Sequence, residues 1–214
     1  MAGNETQENL KIKPKHTGSK QIFENPILER LSRTHISIPV SMFLALSLGL
    51  LFYAFKYTTL PAYLIPALFI SGFLSFTLVE YLAHRYLFHM KPDRKWKRTL
   101  QYNMHGVHHE FPKDKDRLAM PPLLSATLAV IFFLIFYSLM NTKVFGFLPG
   151  FMTGYASYLF VHYIVHAYAP PKNFFKELWI NHAIHHYKDE TVIFGVSSPL
   201  WDHIFGTIPK KKKK

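Results

Sequence analysis

The sequence predicts an all-α integral membrane protein, because its apolar residues form four long runs and its basic residues flank those runs unevenly. A helix needs about 20 apolar residues to cross the hydrocarbon core of a bilayer, at a rise of about 1.5 Å per residue. Hydrophobic residues make up 49% of the 214-residue chain. The runs are Ile36 to Phe55, Leu60 to Ala83, Pro121 to Met140 and Val144 to Ala167.

Each run has the character of a membrane span. The first and third contain no Asp, Glu, Lys or Arg, the second carries Glu80 near its end, and the fourth carries His162 and His166 in its last turns. Short turns at 56–59 and 141–143 connect the runs in pairs, which predicts two helical hairpins. A buried core helix is the alternative for any single run, and four such runs with one-sided charge disfavour it.

The basic residues predict which side of the membrane each segment occupies. Segments 1–35, 84–120 and 168–214 carry 6, 9 and 8 Lys and Arg residues, and only Lys56 and Lys143 of the total of 25 lie in the two short turns. Cytoplasmic loops carry the excess of Lys and Arg. We therefore expect these three segments in the cytosol, at the endoplasmic reticulum of a eukaryote or the inner (plasma) membrane of a bacterium.

This topology divides the chain into a cytosolic N-terminal segment (1–35), a membrane domain (36–209) and a basic tail (210–214). The net charge of +12 is compatible with nucleic acid or with an anionic membrane surface. The apolar runs favour the membrane, so no nucleic-acid partner is expected. The absence of Cys excludes thiolate metal sites, disulfides and Cys nucleophiles.

Ten histidines form four clusters, all on the predicted cytosolic side. They are His84 and His89; His105, His108 and His109; His162 and His166; and His182, His185 and His186. Neutral imidazole is the commonest side-chain metal ligand. A lone histidine at a helix end is more often an interfacial polar residue, but four clusters on one side predict a metal site in a cytosolic helical cap.

The spacing within the clusters supports a shared site. Positions i, i+3 and i+4 share one face of a helix, as in the two His-x2-His-His clusters and the pair four residues apart. His84 and His89 are five apart, about 140° around an ideal helix. They are expected either to face two different ions or to lie where the helix breaks. His16, His35 and His203 fall outside the pattern, and His16 and His35 are interpreted as surface residues.

Ten imidazoles are too many for one ion and provide about five ligands for each of two. Five ligands exceed a closed tetrahedral zinc site and leave one position open on octahedral iron. The sequence therefore predicts two iron ions that activate O2, although zinc competes well for such ligands and could replace iron in purified protein. A site at the membrane surface predicts a lipid substrate.

The motifs around the histidines resemble those of the fatty acid 2-hydroxylases, in the fatty acid hydroxylase/sterol desaturase superfamily. Residues 80–92 (EYLAHRYLFHMKP) resemble the first histidine box of that family. Residues 105–109 (HGVHH) and 114–122 (DKDRLAMPP) resemble the second box and its tail. The last box and C-terminal signature correspond to 182–187 (HAIHHY), 194–198 (FGVSS) and 200–207 (LWDHIFGT).

The resemblance implies a four-span protein with a cytosolic cap and a dimetal centre bound by the ten histidines. It also implies hydroxylation at C2 of a fatty acid or sphingolipid acyl chain, using O2 and two electrons. Many members carry a cytochrome b5 domain that does not fit in residues 1–35, so a separate cytochrome b5-like or ferredoxin-like donor is expected. Leu159 stands where several relatives have Asp, which leaves the surroundings of the ligands and the substrate headgroup open.

Three residues are candidates for orienting the ligands, since histidine ligands usually donate their second N–H to a carboxylate or carbonyl. They are Glu80, Tyr158 and Asp202. Alternative roles are an ion pair with Arg85 for Glu80, a helix cap or salt bridge for Asp202, and simple packing for Tyr158.

Two alternative functions remain open. Sterol desaturases, sphingolipid C4-hydroxylases and acyl-CoA desaturases have similar boxes, although the RLAMPP and LWDHIFGT stretches favour the 2-hydroxylases. A membrane metal transporter or metal-binding protein would need ligands along the middle of several spans, and the central parts of all four runs lack them.

Overall fold

The computed structural model describes residues 13–209, and all the regular secondary structure in that range is helical. The all-α prediction is confirmed for this part of the chain. The basic tail Lys210–Lys214 and residues 1–12 lie outside the described residues. The α-helices are α1 (Pro26–Leu31), α2 (Ser37–Tyr57), α3 (Leu64–Leu82), α4 (Lys95–Gln101), α5 (Val107–Glu110), α6 (Pro122–Met140), α7 (Val144–Ala167), α8 (Lys176–Tyr187) and α9 (Leu200–Phe205).

Three segments are long and apolar enough to cross a membrane by length and composition: Ser37–Tyr57, Leu64–Phe88 and Lys115–Ala167. The third contains both α6 and α7, so the predicted count of four spans is not confirmed. These two helices are nevertheless antiparallel. The ring centroids of Phe136 and Phe147 lie 5.0 Å apart, and those of Phe132 and Phe151 lie 5.2 Å apart.

Helix α7 is the centre of the bundle, and glycines allow α3 to approach it closely. A Cβ atom at Gly72 would lie 2.0 Å from the Phe147 carbonyl oxygen, and one at Gly150 would lie 1.9 Å from that of Phe69. Small residues at such crossings let membrane helices pack backbone to backbone. On another face of α7, the Ser47 hydroxyl of α2 donates to the Pro149 carbonyl at 2.9 Å.

Contacts along α7 define the direction of its neighbours. Gly146 lies against Leu68 and Gly154 against Phe76, so α3 runs parallel to α7. Helix α2 runs antiparallel to it, since Phe43 contacts Tyr155 and Tyr53 contacts Phe145. The C-terminal ends of α3 and α7 therefore lie at one end of the bundle, together with the N-terminal ends of α2 and α6.

Two π-helical turns, Ala83–Phe88 and Tyr102–Gly106, interrupt the α-helical pattern near that end. The first continues α3 directly, and the second joins α4 to α5. Two short 3-10 turns, Lys115–Arg117 and Asn141–Lys143, precede α6 and α7. Single π-helical turns inside α-helices occur frequently at functional sites.

The described part of the N-terminal segment, residues 13–35, packs against α5 and the loop that follows it. The Lys15 backbone N–H donates to the Glu110 carbonyl at 2.7 Å, and the Lys15 ammonium pairs with the Glu110 carboxylate at 2.5 Å. The Thr34 N–H donates to the Asp116 carbonyl at 2.9 Å. The domain boundaries predicted at residues 35 and 209 remain predictions.

Candidate metal centre

The structure brings all ten clustered histidines together, in two groups of five. Within each group, one nitrogen of every ring lies within 4.8 Å of the corresponding nitrogen of every other ring. The first group is His84, His89, His105, His109 and His185, and the second is His108, His162, His166, His182 and His186. The two groups adjoin, since the rings of His109 and His186 stack at 4.1 Å.

The three other histidines do not join these groups. The His16 ring is exposed and stacks on Tyr187 at 5.9 Å. His35 is exposed, and its Nδ1 lies 2.8 Å from the Ser37 hydroxyl. His203 is exposed on α9.

The first π-helical turn explains how His84 and His89 reach the same group. Their five-residue spacing would separate them by about 140° on an ideal α-helix. The backbone N–H of His89 instead donates to the His84 carbonyl at 3.1 Å, the i to i+5 bond of a π-helix. Of the two alternatives raised from the sequence, the structure shows the interruption of the α-helix, and the two rings lie in one group rather than facing different ions.

The two His-x2-His-His clusters each contribute to both groups. In the cluster on the second π-helical turn and α5, His105 and His109 enter the first group and His108 enters the second. On α8 the assignment is reversed, because His182 and His186 enter the second group and His185 enters the first. In each cluster, the first and last histidines, four residues apart, lie in the same group. The middle histidine, three residues after the first, lies in the other group.

Backbone carbonyls orient three of the rings. The Nδ1–H groups of His84, His162 and His185 donate to the carbonyl oxygens of Phe194, Leu118 and Val192, at 2.6, 3.1 and 2.8 Å. Each of these neutral rings then has a bare Nε2 that faces its group. A second-sphere hydrogen bond of this kind fixes the tautomer of a histidine ligand.

The donor set fits a pair of metal ions. The Nε2 atom of His185 lies 2.9 Å from that of His89, and the Nε2 atom of His84 lies 3.1 Å from that of His105. The bare Nε2 atoms of His185 and His84 thus each face a nitrogen of a second ring, and a cation between the two nitrogens would bind both. Carboxylates and thiolates are absent from both groups, so each site would be an all-imidazole site.

Burial keeps the histidines outside the membrane-spanning segments in the ligand form. Burial, together with the neighbouring imidazoles, holds the pKa of His105, His108, His109, His182 and His186 well below the usual range. Burial lowers the pKa of His89 to about 2 and that of His185 to about 4, the latter despite the hydrogen bond to Val192. These rings are therefore neutral at pH 7.

Glu80 and Asp202 hydrogen-bond to none of the described histidines, but they hold the loop that presents the Val192 and Phe194 carbonyls. The Glu80 carboxylate accepts hydrogen bonds from the Val196 and Ser197 N–H groups at 2.8 Å and from the Ser197 hydroxyl. The Asp202 carboxylate accepts from the Phe194 and Gly195 N–H groups at 2.7 and 2.8 Å. Both carboxylates are buried.

These bonds correct two of the alternatives raised from the sequence. Arg85 donates to the Tyr81 hydroxyl at 2.9 Å, and none of the described ion pairs joins it to Glu80. Asp202 caps loop amides rather than forming a salt bridge in the described range. It also accepts from the Thr207 hydroxyl at 2.6 Å.

Tyr158 packs on a ligand of the second group. Its ring stacks on that of His162 with a centroid distance of 5.6 Å and an interplanar angle of 7°. The same ring stacks on Tyr155 at 6.3 Å. Tyr158 therefore contacts His162 through its ring. Of the two roles considered from the sequence, orienting a ligand or simple packing, the structure shows packing.

The sequence did not identify the residues whose carbonyls orient the rings, because every residue has the same backbone carbonyl whatever its side chain. One backbone feature accompanies them. Ile193, between Val192 and Phe194, has a φ of 55°, a rare value for a β-branched residue. The neighbouring Gly195 has no room for a side chain, since a Cβ there would lie 2.2 Å from the Ser198 carbonyl oxygen. Glycine in the FGVSS stretch is the one sequence signal for this tight loop.

Comparison with known proteins agrees with this geometry. Residues 69–207 match the family model described as fatty acid hydroxylase. A dihydroceramide fatty acyl 2-hydroxylase of Arabidopsis thaliana, FAH2, is 35% identical over 191 residues, covering 88% of this chain and 80% of that protein. The fatty acid 2-hydroxylase of Homo sapiens is 32% identical over 213 residues, covering 90% of this chain and 57% of the relative.

A solved structure supports the same relationship. The structure of full-length scs7p, in which only the hydroxylase domain is visible, superposes with a TM-score of 0.84 at 32% sequence identity. The alignment covers 94% of this chain and 76% of the other. This chain thus spans most of the plant relative and a little more than half of the human one.

Proposed function

Since this chain belongs to the fatty acid hydroxylase family, we propose that it is a membrane-bound fatty acid 2-hydroxylase. The family membership agrees with the resemblance seen in the histidine boxes. The substrate is a fatty acid or the acyl chain of a sphingolipid, hydroxylated at C2. The observation that carries the proposal is the pair of five-histidine groups at one end of apolar helices, in a chain whose relatives are named 2-hydroxylases.

The two groups hold two iron ions as the native cofactor in this proposal, and zinc can take their place in purified protein. The ligands are the ten histidines of the two groups. Held by these ten histidines, an iron pair would supply O2 activation for the overall reaction, in which O2, two electrons and two protons convert the C–H bond to C–OH and release one water. The protein supplies neutral, oriented imidazoles and a buried setting for the reacting carbon.

The proposed topology has four crossings, with α6 and α7 as separate spans. The antiparallel contacts between these helices support it, as does the position of the helix ends that carry the histidines. On the positive-inside rule, the centre then lies on the cytosolic side of the membrane beneath a helical cap formed by α4, α5, α8 and α9. The lipid headgroup would remain near water while its acyl chain lies among the apolar helices.

A separate protein delivers the electrons in this scheme, of the cytochrome b5 or ferredoxin type. The surface around α4 supports such an encounter. Lys91, Arg94, Lys95 and Arg98 are exposed there, close in sequence to the ligands His89 and His105. A basic surface of this kind accelerates association with an acidic carrier.

The decisive experiment uses the full chain, loaded with iron and reconstituted in liposomes with a reductase, cytochrome b5 and ceramide or fatty acid. We expect products that gain one oxygen atom at C2, identified by mass spectrometry of the lipid fragments. His109→Ala should abolish the product, and the matched control His203→Ala, on an exposed histidine outside both groups, should not.

Other products would assign a different activity. Loss of two hydrogens would indicate a desaturase, and oxygen at C4 of the sphingoid base would indicate a C4-hydroxylase. Either result would contradict the proposed reaction while leaving the metal centre in place. Iron-loaded protein that yields no oxidised lipid with O2 and the donor would contradict both.

A further inference from the structure

A cavity of about 110 Å³ lies inside the helix bundle, away from the histidines. Its walls come from α2, α3, α6 and α7, and they include Phe43, Phe76, Phe132, Leu148 and Phe151. No charged side chain lines it. An apolar cavity of about 150 Å³ stays dry and takes up benzene, so this one has room for a short stretch of hydrocarbon.

The cavity offers few hydrogen bonds to a ligand. Of the residues that line it, only Ser125 and Tyr155 are polar. The Ser125 hydroxyl donates within its own helix, to the carbonyls of Pro121 and Pro122. The Tyr155 hydroxyl is buried without a hydrogen-bond partner among the described residues. A wall of this composition selects an alkyl chain over a polar ligand.

Aromatic rings connect the cavity to the second histidine group. Tyr155, in the cavity wall, stacks on Tyr158, which in turn stacks on His162. Phe151, deeper in the wall, precedes His162 by eleven residues of α7, or about 16 Å along the helix axis. The cavity thus lies at a depth that a long acyl chain can reach from the metal centre and a short one cannot.

Helix α6 packs more loosely than the rest of the bundle. It buries only Ser125, whereas twelve residues of α7 are buried. Leu128 and Ala129 of α6 line the cavity, and Leu128 is also exposed on the outer surface. A lipid chain could therefore enter from the bilayer beside α6 without crossing the cap.

We propose that this cavity receives the distal part of the substrate's acyl chain and determines which chain lengths are hydroxylated. The inference rests on the proposed 2-hydroxylase function. It assigns selectivity to the side chains of Ala129 on α6 and Phe132 one turn further on. Ala129 sets the width of the cavity, and Phe132 closes part of its volume by packing against Phe151 at 5.2 Å.

The test is a competition assay with full-length, iron-loaded protein and an equimolar mixture of substrates that differ only in acyl chain length. Ala129→Phe fills the cavity and should shift the 2-hydroxylated products toward shorter chains, by about fourfold for each methylene displaced from apolar contact. Phe132→Ala enlarges the cavity and should shift them toward longer chains. The control Val130→Phe places the same phenyl ring on the outer face of α6, where Val130 is 58% exposed, and should leave the profile unchanged.

The outcomes separate the two proposals. Wild-type protein that forms no 2-hydroxylated lipid refutes the proposed function. Wild-type protein that is active, with identical chain-length profiles in Phe132→Ala and the control, refutes the cavity assignment. Metal content and melting temperature, measured on every variant, show whether Ala129→Phe folds. If it does not, the shift of Phe132→Ala toward longer chains decides the question.

Discussion

At the scale of single residues, the loop from Val192 to Ser197 links two buried carboxylates to two metal-group histidines. Glu80 and Asp202 hold the loop amides, and the carbonyls of Val192 and Phe194 accept from His185 and His84. Both of these histidines belong to the first group. The carboxylates therefore act on one group selectively, through the backbone between them.

Glu80→Ala should weaken metal binding at the first group more than at the second. Loss of the carboxylate frees the Val196 and Ser197 amides, so the loop carbonyls no longer fix the ring of His84. Partners of metal ligands typically contribute about 10- to 100-fold in affinity. We expect this loss for one of two ions, measured by chelator competition with elemental analysis.

Two variants control for this experiment. Glu80→Gln retains an oxygen that can accept from both amides and should restore most of the affinity, and Glu24→Ala removes an exposed carboxylate and should change nothing. Retention of both ions by Glu80→Ala with wild-type exchange rates would show that the loop does not orient the ligands.

The convergence of the ten histidines could be predicted from the sequence because their spacing and their predicted side of the membrane both indicated one site. Their division between two groups could not. His108 and His109 are neighbours in the chain, yet they enter different groups because adjacent residues on a helix point in different directions. The carbonyls of Leu118, Val192 and Phe194 were beyond prediction, since the loop path that presents them depends on tertiary contacts.

At the scale of elements, sequence patterns predicted helices well and helix type poorly. The apolar runs at 36–55 and 144–167 correspond closely to α2 and α7, because length and hydropathy are local properties. The π-helical turn after α3 arises where backbone hydrogen bonds shift from i+4 to i+5 spacing, which no composition or periodicity reveals. The count of spans likewise depends on whether the turn at 141–143 is treated as a break, because without that break α6 and α7 count as one apolar segment.

The N-terminal helix α1 is attached to the 3-10 turn at Lys115–Arg117 by a carboxylate with a strongly lowered pKa. Burial of Glu29 opposes ionisation, but the Ile22 and Phe23 amides and the guanidinium groups of Arg33 and Arg117 outweigh it and lower the pKa to about 2. The ordinary value is 4.5. The folded state thus binds fewer protons than the unfolded state between these values, and the attachment weakens as the pH falls through that range.

Glu29→Gln should lower the free energy of unfolding by about 1.5–3 kcal/mol at pH 7, the range for hydrogen bonds to a charged group. The difference from wild type should be constant above pH 4.5 and shrink as the pH falls toward 2. Thermal unfolding in detergent at several pH values measures it. Glu24→Gln, on an exposed carboxylate, serves as control, and a difference that does not depend on pH would exclude an electrostatic role.

At the scale of the whole molecule, the helix directions place both ligand-bearing ends of α3 and α7 on one side of the bundle. The short turns at 56–59 and 141–143 then lie at the opposite end. Charge counts and helix packing are independent observations, and they agree on this arrangement. Basic residues can be counted without knowing the fold, so the side of the membrane remains a prediction from charge, whereas the packing of α3 on α7 required coordinates.

This arrangement can be tested by cysteine labelling, since the chain contains no Cys and has no background reaction. Lys143→Cys and Lys172→Cys introduce thiols at two exposed positions. In sealed membranes, a membrane-impermeant maleimide should reach position 143 only from the non-cytosolic side and position 172 only from the cytosolic side. Labelling of both from the same side would contradict the proposed topology.

The π-helical turn at Ala83–Phe88 has a consequence for insertions and deletions in this chain. Without the π-helical turn, a pair of histidines four residues apart would share one face of an ordinary α-helix, about 40° apart. The turn therefore accommodates one extra residue between His84 and His89, and a further insertion in this stretch would turn the second ring by about another 100°. Replacements at solvent-facing positions such as Tyr86, which is 62% exposed, are tolerable where an insertion of one residue is not.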